Sequence, residues 1–250
     1  MQVNIENEIK TIHMGDKGPN LLSVERANEI ISELNKNDCK AVIILGNEKV
    51  FSAGLNLKHL QNAKEESEVS LIFKTLRELL VASRKFPGPV ISIVSGHAIA
   101  GGCLLALASD YRYGVHGMHR MGLNEMAIGI DLPPDMLSII SHTINKNYLF
   151  EVATQCRMYS PTEALKKGLI NEIVGYRFTS KKKATLKALD KAKKLAKFYI
   201  DAGEPFVRLK QSLMHDTDFD YQILIDNWFS SETQNKINAV MSSLNKKWIF

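Results

Sequence analysis

The stretch GHAIAGGCLLALASDYR, residues 96–112, decides the fold of this chain. It follows residues 89–94, a short apolar run that is typical of a buried strand. Residues 101–108 predict a buried helix that begins at two adjacent glycines, and residues 110–115 predict a further strand. Small residues at a strand exit leave backbone N–H groups open to a ligand, and a helix N-terminus favours negative charge. Two such N–H groups facing one point can form an oxyanion hole.

A second glycine-containing turn, FSAGLNL at residues 51–57, comes soon after the buried-strand signal of residues 40–45. Neither turn is a phosphate loop, because no Gly-Lys-Ser/Thr follows, and neither has the G-x-G-x-x-G spacing of a dinucleotide turn. Taken singly, each turn is explained equally well by tight packing of small residues.

Strands alternate with helices through the first two-thirds of the chain, and only helices follow. The remaining strands are predicted over residues 2–5, 9–14 and 169–174, and the remaining core helices over 23–35, 65–85, 134–142, 146–155 and 161–166. The C-terminal helices are predicted over residues 181–202, 205–215, 220–228 and 232–246. This order predicts an α/β core, residues 1–178, and a helical C-terminal region, residues 179–250.

Composition excludes several classes of protein. The chain has 250 residues, 45% hydrophobic and 24% charged, as in ordinary globular proteins and unlike disordered or collagen-like chains. The longest strongly apolar stretch, residues 97–108, is far shorter than the roughly 20 residues that span a bilayer. The N-terminus MQVNIENEIK does not resemble a secretory signal. The three cysteines have no metal or redox spacing, so we expect a cytoplasmic protein without a metal site or membrane contact.

The net charge of +5 raises the question of nucleic-acid binding. Most of the excess lies in the lysines between residues 181 and 197, on one predicted amphipathic helix whose apolar face would include Leu186, Leu189, Leu195 and Phe198. No aromatic residue interleaves with these lysines, as a stacking surface for bases requires. We therefore expect a solvated basic face and no nucleic-acid partner.

Taken together, the motifs FSAGLNL, GHAIAGGCLLALASDYR and GLNEMAIGI (residues 122–130) resemble the crotonase, or enoyl-CoA hydratase/isomerase, superfamily. The resemblance covers nearly the whole chain to about Val174 and the helical tail more loosely. It implies a crotonase-like ββα spiral core with a helical C-terminal trimerisation region, and an acyl-CoA substrate with no cofactor other than the coenzyme A it carries. By resemblance, the thioester oxygen lies between the backbone N–H groups of Ala53 and Gly101. The CoA would run along Ser52, Ala53, Gly54, Leu55, Asn56, Leu57 and Lys58.

Two positions separate the branches of this superfamily. Its hydratases carry one glutamate directly after the Gly-Gly-Cys run and a second after the next strand. Here the first position is Leu104, which would line the substrate pocket, and the second is Glu125. One carboxylate cannot easily orient a water and shuttle its protons, but it can move one proton between two carbons. The pattern is therefore similar to the Δ3,Δ2-enoyl-CoA isomerases, which convert 3-enoyl-CoA to 2-trans-enoyl-CoA in the oxidation of unsaturated fatty acids.

Two alternatives to isomerisation stay open at this stage. One is another crotonase reaction, such as weak hydration or thioester hydrolysis. The other is a non-catalytic acyl-CoA-binding protein that kept the fold, since fold does not determine function.

Asp131 is a weak second acid candidate, whereas His97 and Asp110 are expected to pack structurally. Met118, Met121 and Met126 are expected to fill the pocket or the core, as methionines often do.

The helical tail also carries a prediction about assembly. Its apolar residues include Ile223, Leu224, Trp228, Ile237, Val240 and Leu244. A peripheral region this apolar needs a partner surface. The resemblance makes a homotrimer or a dimer of trimers the expected assembly.

Overall fold

The computed structural model of the chain describes residues 1–213 and 222–247. The strands are β1 (Gln2–Glu6), β2 (Ile9–His13), β3 (Ala41–Leu45), β4 (Val50–Ser52), β5 (Val90–Val94), β6 (His97–Ile99), β7 (Tyr111–Val115), β8 (Met121–Gly122) and β9 (Glu172–Val174). The helices are α1 (Val24–Asn35), α2 (Leu57–Asn62), α3 (Glu66–Lys85), α4 (Gly101–Leu107), α5 (Pro134–Thr143), α6 (Leu149–Thr154), α7 (Pro161–Lys167), α8 (Lys181–Ala202), α9 (Glu204–Leu213), α10 (Gln222–Phe229) and α11 (Ser231–Lys247). Two 3₁₀ turns cover Glu125–Ile128 and Lys146–Tyr148.

The larger sheet has the strand order β1-β2-β3-β5-β7-β9, and a smaller sheet has the order β4-β6-β8. Only β1 runs antiparallel to its neighbour, and the other pairs in both sheets are parallel. Every residue of β3 and β5 is buried. This burial explains their continuous apolar sequences, because parallel strands are covered by helices on both faces. The predicted α/β class is confirmed.

Helix α8 packs on one face of the large sheet through small side chains. Ala184, Ala188, Ala192 and Ala196 recur every four residues and are buried against strands β2, β3, β5, β7 and β9. Leu186 and Phe198, which the sequence analysis placed on the apolar face, are 58% and 65% exposed. That assignment was wrong because the alanine stripe lets the helix approach the sheet closely, and residues four apart share one face. The proposed boundary at residue 178 thus separates α8 from a sheet that it covers.

Several short elements escaped the sequence analysis. They are β4, β6, β8, helix α2 and the 3₁₀ turn Glu125–Ile128, each of two to six residues. Such lengths are too short for a hydrophobic period to show. The predicted single helix over residues 146–155 is instead the second 3₁₀ turn followed by α6. Of the predicted tail helices, residues 214, 215, 220 and 221 lie outside the described part.

The tail folds back onto its own chain. Trp228 and Ile237 are 1% and 0% exposed, and they share a buried cluster with Phe73 of α3 and Ile128. These two side chains therefore provide no apolar surface for a partner. The side chains of Ile223, Leu224, Val240 and Leu244 lie outside the described part, so the assembly stays a prediction.

Exposure also corrects part of the expectation for the methionines. Met121 is 2% exposed and belongs to the core, but Met118 and Met126 are 90% and 54% exposed. Neither of these two fills the core, because Met118 lies in a surface loop and Met126 on the outer side of a 3₁₀ turn.

Within residues 1–213 and 222–247, no helix combines the length and apolar character needed to cross a membrane.

Candidate active site

The two glycine turns of the sequence lie against each other. Strands β4 and β6 are neighbours in the small sheet, and each leads directly into one of the turns. Gly54 has a φ of +81°, and a Cβ on it would lie 2.9 Å from the carbonyl oxygen of Ile99 and 3.0 Å from the backbone nitrogen of Gly101. Only glycine accommodates both this conformation and this approach. The backbone after β4 therefore packs directly on the start of α4.

The backbone N–H groups of these turns differ in what they bind. The N–H of Ala53 donates to the carbonyl oxygen of Pro19 at 3.0 Å, and the N–H of Gly54 donates to Ser52 Oγ at 3.1 Å. The N–H groups of Leu55 and Gly101 donate to no atom of the described chain. The donor that the resemblance assigned to Ala53 is thus engaged with Pro19, and the open donor lies two residues later, at Leu55.

The turn before α4 holds its open N–H in place through an unusual backbone conformation. Ala100 has a φ of +51°, a value uncommon for a residue with a side chain. Gly101 follows as the first residue of α4, where a helical N–H has no partner within the helix. Strained backbone of this kind concentrates at functional sites. The open N–H groups of Leu55 and Gly101 both belong to residues that line one cavity.

This cavity has a volume of about 380 Å³. Its lining is mainly apolar and comprises Ala53, Leu55, Leu57, Leu60, Phe73, Leu76, Ile99, Ala100, Gly101, Leu104, Ile128, Ile130, Leu132, Pro133 and Met136, together with three polar residues, Asn124, Glu125 and Asp131. A mostly apolar cavity with a few polar groups is the usual form of a small-molecule site.

Glu125 supplies the buried carboxylate of the cavity. The residue as a whole is half-buried, but both oxygens of its carboxylate are buried and have no hydrogen-bond partner. Burial raises the pKa of Glu125 from its ordinary value to about 7 because the charged form loses its hydration. A carboxylate with a pKa near neutrality is suited to act as a general base.

The tail secures the turn that carries Glu125. Gly129 ends this turn with a φ of +75°, and its carbonyl oxygen accepts a hydrogen bond from Thr233 Oγ1 of α11 at 3.0 Å. A Cβ on Gly129 would lie 2.6 Å from the same oxygen atom of Thr233. The position of the carboxylate therefore depends on a contact between segments about a hundred residues apart.

Leu104 lies one turn after Gly101 on α4, is 1% exposed and lines the cavity. Its position places an apolar side chain where a hydratase of the resembled superfamily has its first glutamate. Asp131 also lines the cavity, but the residue is exposed. Glu125 is therefore the carboxylate that the described chain buries in this cavity.

Other residues assigned to the site have structural contacts. The side chain of Ser52 is buried and donates to the carbonyl oxygen of Asn20 at 2.8 Å. Asn56 caps α2 by accepting a hydrogen bond from the N–H of His59 at 3.2 Å. Lys58 is exposed and does not line the cavity. Of the predicted CoA-contacting run, Ala53, Leu55 and Leu57 face the cavity.

Asp110 and His97, which were expected to have packing roles, make hydrogen bonds to other parts of the chain. Asp110 accepts hydrogen bonds from the N–H of Val90 and from Lys210 Nζ, both at 2.7 Å. His97 Nδ1 accepts a hydrogen bond from the N–H of Arg120 at 3.1 Å, away from the cavity of Glu125. In the part of the chain that the structure describes, no group of three His, Cys, Asp or Glu residues could hold a metal ion.

The sequence analysis missed the walls of the cavity. Leu60 of α2, Phe73 and Leu76 of α3, and Met136 of α5 all line it. In sequence these residues read as ordinary core positions of amphipathic helices, so no local signal separated them from the rest of the core. Their role follows only from which helix ends the small sheet brings together.

Comparisons with known proteins agree with this geometry. The family model described as enoyl-CoA hydratase/isomerase matches residues 4–238. Rat mitochondrial enoyl-CoA delta isomerase 1 is 33% identical over 181 residues, which cover 69% of this chain and 62% of the rat protein. The probable enoyl-CoA hydratase echA17 of Mycobacterium avium (strain 104) is 28% identical over 159 residues, which cover 62% of this chain and 61% of that protein. The alignments thus span about three-fifths of each curated relative.

Solved structures show the same fold over the full length. The crystal structure of human mitochondrial delta3-delta2-enoyl-CoA isomerase matches with a TM-score of 0.80 and 20% identity, covering 99% of this chain and 98% of that one. The predicted crotonase fold is confirmed. Because the family model spans nearly all of the sequence and the two motif turns form one cavity, this chain belongs to the enoyl-CoA hydratase/isomerase family of the crotonase superfamily.

Proposed function

We propose that this enzyme of the enoyl-CoA hydratase/isomerase family isomerises 3-enoyl-CoA to 2-trans-enoyl-CoA. One observation carries the proposal: a single buried carboxylate without a partner, that of Glu125, shares an apolar cavity with two open backbone N–H groups. The similarity to rat enoyl-CoA delta isomerase 1 supports this proposal. The similarity to a probable enoyl-CoA hydratase keeps hydration as the other candidate.

The chemistry follows from the position of these groups. The thioester makes the C2 proton of the substrate acidic, and the carboxylate of Glu125 removes it. The electron pair of the C2–H bond forms a dienolate, whose negative charge on the thioester oxygen is stabilised by the N–H groups of Leu55 and Gly101. Glu125 then returns the proton to C4, so the double bond moves from C3–C4 to C2–C3 and no atom is gained or lost.

Hydration is the second candidate because Asp131 lines the same cavity as Glu125. Hydration needs a water positioned between two acid–base groups, and Leu104 takes the place where the resembled hydratases hold one of them. Asp131 is exposed, whereas the carboxylate oxygens of Glu125 are buried. These observations favour isomerisation.

Product mass separates the two reactions. The protein would be incubated with 3-cis- and 3-trans-enoyl-CoAs of several chain lengths, and the products followed by mass spectrometry and ultraviolet absorbance. Isomerisation leaves the mass unchanged and creates the conjugated thioester chromophore, whereas hydration adds one water. A product heavier by one water as the main species would replace isomerisation by hydration, and release of free CoA would indicate thioester hydrolysis.

The pH dependence of the reaction tests the state of Glu125. Because its pKa is raised to about 7 and the base must be ionised, kcat/KM is expected to fall as the pH drops below about 7. Above that pH the carboxylate is charged and kcat/KM should reach a plateau. The profile would be measured from acidic to mildly alkaline pH with a non-ionising substrate analogue as a control for binding. An acidic limb centred near the ordinary glutamate pKa would contradict the burial of the base.

Acyl chain length should depend on the packing between Phe73 and Trp228. Phe73 lines the cavity, and its ring meets that of Trp228 edge to face, with centroids 5.8 Å apart. Trp228→Ala is expected to let the Phe73 ring retreat and to raise kcat/KM for longer acyl chains relative to shorter ones. The gain should be about fourfold for each methylene that becomes buried, at about 0.8 kcal/mol per methylene.

The control for this change is Phe178→Ala, since Phe178 is 88% exposed. It should leave the chain-length profile unchanged. Removing Trp228 also costs packing, on the order of 3–5 kcal/mol, so the melting temperature has to be measured alongside. An unchanged chain-length profile in folded Trp228→Ala would show that this pair does not limit the pocket.

We also propose a homotrimer or a dimer of trimers. Phe198 of α8 and Leu209 and Leu213 of α9 are 65%, 66% and 69% exposed, and this apolar surface on the helical region supports an interface. Light scattering is expected to give three or six times the chain mass of 28.1 kDa. A single-chain mass at micromolar concentration would refute the assembly.

We also propose that the protein has no nucleic-acid partner and works in a reducing compartment, on the basis of its surface charges and its cysteines. Lysines of α8 pair with carboxylates, as Lys191 does with Glu172 and Lys193 with Glu6, which supports a solvated face over a nucleic-acid surface. Cys39, Cys103 and Cys156 are free, in agreement with a reducing compartment such as the cytoplasm. A proton shuttle between carbons requires no metal or redox group, so coenzyme A would enter only as part of the substrate.

A further inference from the structure

The hydroxyl group of Thr233 in α11 binds outside its own helix. Thr75 Oγ1 and Thr185 Oγ1 donate to the carbonyl oxygen four residues earlier in their own helices, at 2.7 and 2.9 Å, as threonines in helices often do. Thr233 Oγ1 instead donates to the carbonyl oxygen of Gly129 at 3.0 Å, 104 residues away in sequence. Thr233 is 3% exposed, so its hydroxyl is committed to the end of the turn that carries Glu125.

The peptide group that accepts this hydrogen bond also holds the backbone of Glu125. The carbonyl oxygen of Gly129 and the N–H of Ile130 belong to one planar peptide group. The N–H of Ile130 donates to the carbonyl oxygen of Glu125 at 3.1 Å. One rigid unit therefore connects Thr233 Oγ1 on one side with the main chain of Glu125 on the other.

The carboxylate of Glu125 depends on this backbone for its position. Neither of its oxygens is held by a hydrogen bond from the described chain, so its direction follows from the backbone of the turn and from packing. The turn is a 3₁₀ helix of four residues, and hydrogen bonds in such helices have poorer geometry than those of an α-helix. A hydrogen bond from outside the turn therefore helps to hold it.

The start of α11 is a well-anchored position from which to hold the turn. Ser230 Oγ caps the helix by accepting a hydrogen bond from the N–H of Thr233 at 3.2 Å. Gln234 Nε2 donates to the carbonyl oxygen of Trp228 at 2.7 Å, and the ring of Trp228 packs edge to face on Phe73 of α3. The hydroxyl of Thr233 is thus presented by a helix end that is connected to the cavity wall.

We propose that Thr233 is a positioning residue for the reaction: its hydroxyl, through the peptide group of Gly129 and Ile130, holds the turn that places the Glu125 carboxylate. This role rests on the proposed function, in which Glu125 is the base. Thr233 does not line the cavity, so it acts through Glu125 rather than on the substrate. Misplacing a catalytic group by about 1 Å can cost about 100-fold in rate.

Thr233→Val removes the hydroxyl and nearly keeps the size of the side chain. It is expected to lower kcat by about 10- to 100-fold, because the base is less precisely placed. KM should change little, because the cavity walls and the open N–H groups of Leu55 and Gly101 are untouched. Thr233→Ala, which adds no methyl group beside the carbonyl oxygen, should show the same loss. Thr233→Ser keeps the hydroxyl and should stay close to the wild type in steady-state kinetics with a 3-enoyl-CoA.

Thr75→Val is the matched control. Thr75 is also 3% exposed, its hydroxyl binds within α3, and it does not line the cavity. It should keep wild-type kcat, and thermal melts would show that each variant is folded. In a Glu125→Gln background Thr233→Val should lower kcat no further, because the group that it positions is gone. An equal loss in both backgrounds would show a general structural effect and overturn the proposal.

Crystal structures of the variants give a readout besides activity. Thr233→Val or Thr233→Ala should show the Glu125 carboxylate displaced from its wild-type position, whereas Thr233→Ser and Thr75→Val should not. Wild-type kcat in folded Thr233→Val, or an unmoved carboxylate, would overturn the role of Thr233 and leave the proposed isomerisation standing. If the wild type instead gave a product heavier by one water, isomerisation would fall, and the position of the carboxylate would still decide the role of Thr233.

Discussion

Glu125→Gln is expected to lower kcat by about 10,000-fold while KM changes little. General-base catalysis alone contributes roughly 100- to 10,000-fold. The loss should reach the upper end because Leu104 supplies no second carboxylate and Asp131 is exposed. Glutamine keeps the size of the side chain, and the cavity walls and both open N–H groups are untouched. The effect should therefore appear in kcat rather than in KM.

Steady-state kinetics with a 3-enoyl-CoA would measure this effect, with Glu29→Gln as the matched control because Glu29 is exposed on α1. The control should retain wild-type kinetics. Near-normal turnover by Glu125→Gln would remove the single-base mechanism and make Asp131, which lines the same cavity, the next candidate for the base.

The same substitution is expected to stabilise the fold at alkaline pH. Burial raises the pKa of Glu125 from 4.5 to about 7, so the folded state disfavours the charged form. The wild type then loses free energy of unfolding as the pH rises from about 4.5 to 7, since the unfolded chain ionises first. At 1.36 kcal/mol per pKa unit the loss is on the order of 3 kcal/mol.

Urea unfolding would measure the stability difference between Glu125→Gln and the wild type. It should favour the variant at pH 8 and shrink toward pH 4.5. A difference of equal size at both pH values would show that the carboxylate is not destabilised by burial. Lower activity together with higher stability is the expected signature of a group buried for catalysis rather than for folding.

Gly101→Val is expected to lower kcat/KM by at least about 100- to 1000-fold. Valine keeps the backbone N–H, but its side chain is expected to keep the thioester oxygen from reaching it, and removal of one oxyanion-hole interaction has an effect of this size. A Cβ on Gly101 would make ordinary contacts, 3.4 Å from Leu76 Cδ2 and 3.6 Å from Gly54 Cα, so the fold has room for one methyl group. The two further methyl groups of valine exceed this room at a residue that lines the cavity, and we expect them to obstruct the approach of the thioester oxygen.

Two neighbouring substitutions separate catalysis from folding. Gly101→Ala should fold normally and lose less activity than Gly101→Val. Gly102→Ala should damage folding itself, because its Cβ would lie 2.2 Å from the carbonyl oxygen of Ser52. Kinetics and thermal melts of the three variants would show whether the losses follow this order. Wild-type turnover by folded Gly101→Val would mean that this turn does not bind the thioester oxygen.

Most of the architecture was predictable from the sequence because long elements have strong periodic patterns. The 22-residue helix Lys181–Ala202 was predicted with its observed bounds, and the apolar runs of β3 and β5 identified buried parallel strands. The face that α8 buries was not predictable, since its alanines look less hydrophobic than Leu186 and Phe198. Close approach to the sheet favours the smaller side chains there.

The surface against which the C-terminal helices α10 and α11 pack could not be predicted from the sequence either. The apolar residues of α10 and α11 indicate only that some surface must cover them. In the structure Trp228 and Ile237 are covered by α3 and by the turn that carries Glu125. The tail therefore forms the outer layer of the cavity wall in its own chain.

The sequence by itself determined the family, the position of Glu125 and the absence of a carboxylate at Leu104, because these depend on residue identities at set spacings in two motifs. Only the tertiary structure decided which backbone donor is open. The carbonyl oxygen of Pro19, more than thirty residues away in sequence, accepts a hydrogen bond from the N–H of Ala53, whereas the N–H of Leu55, a residue that lines the cavity, donates to no described residue. The raised pKa of Glu125 was decided in the same way, since desolvation comes from residues that only folding brings around the carboxylate.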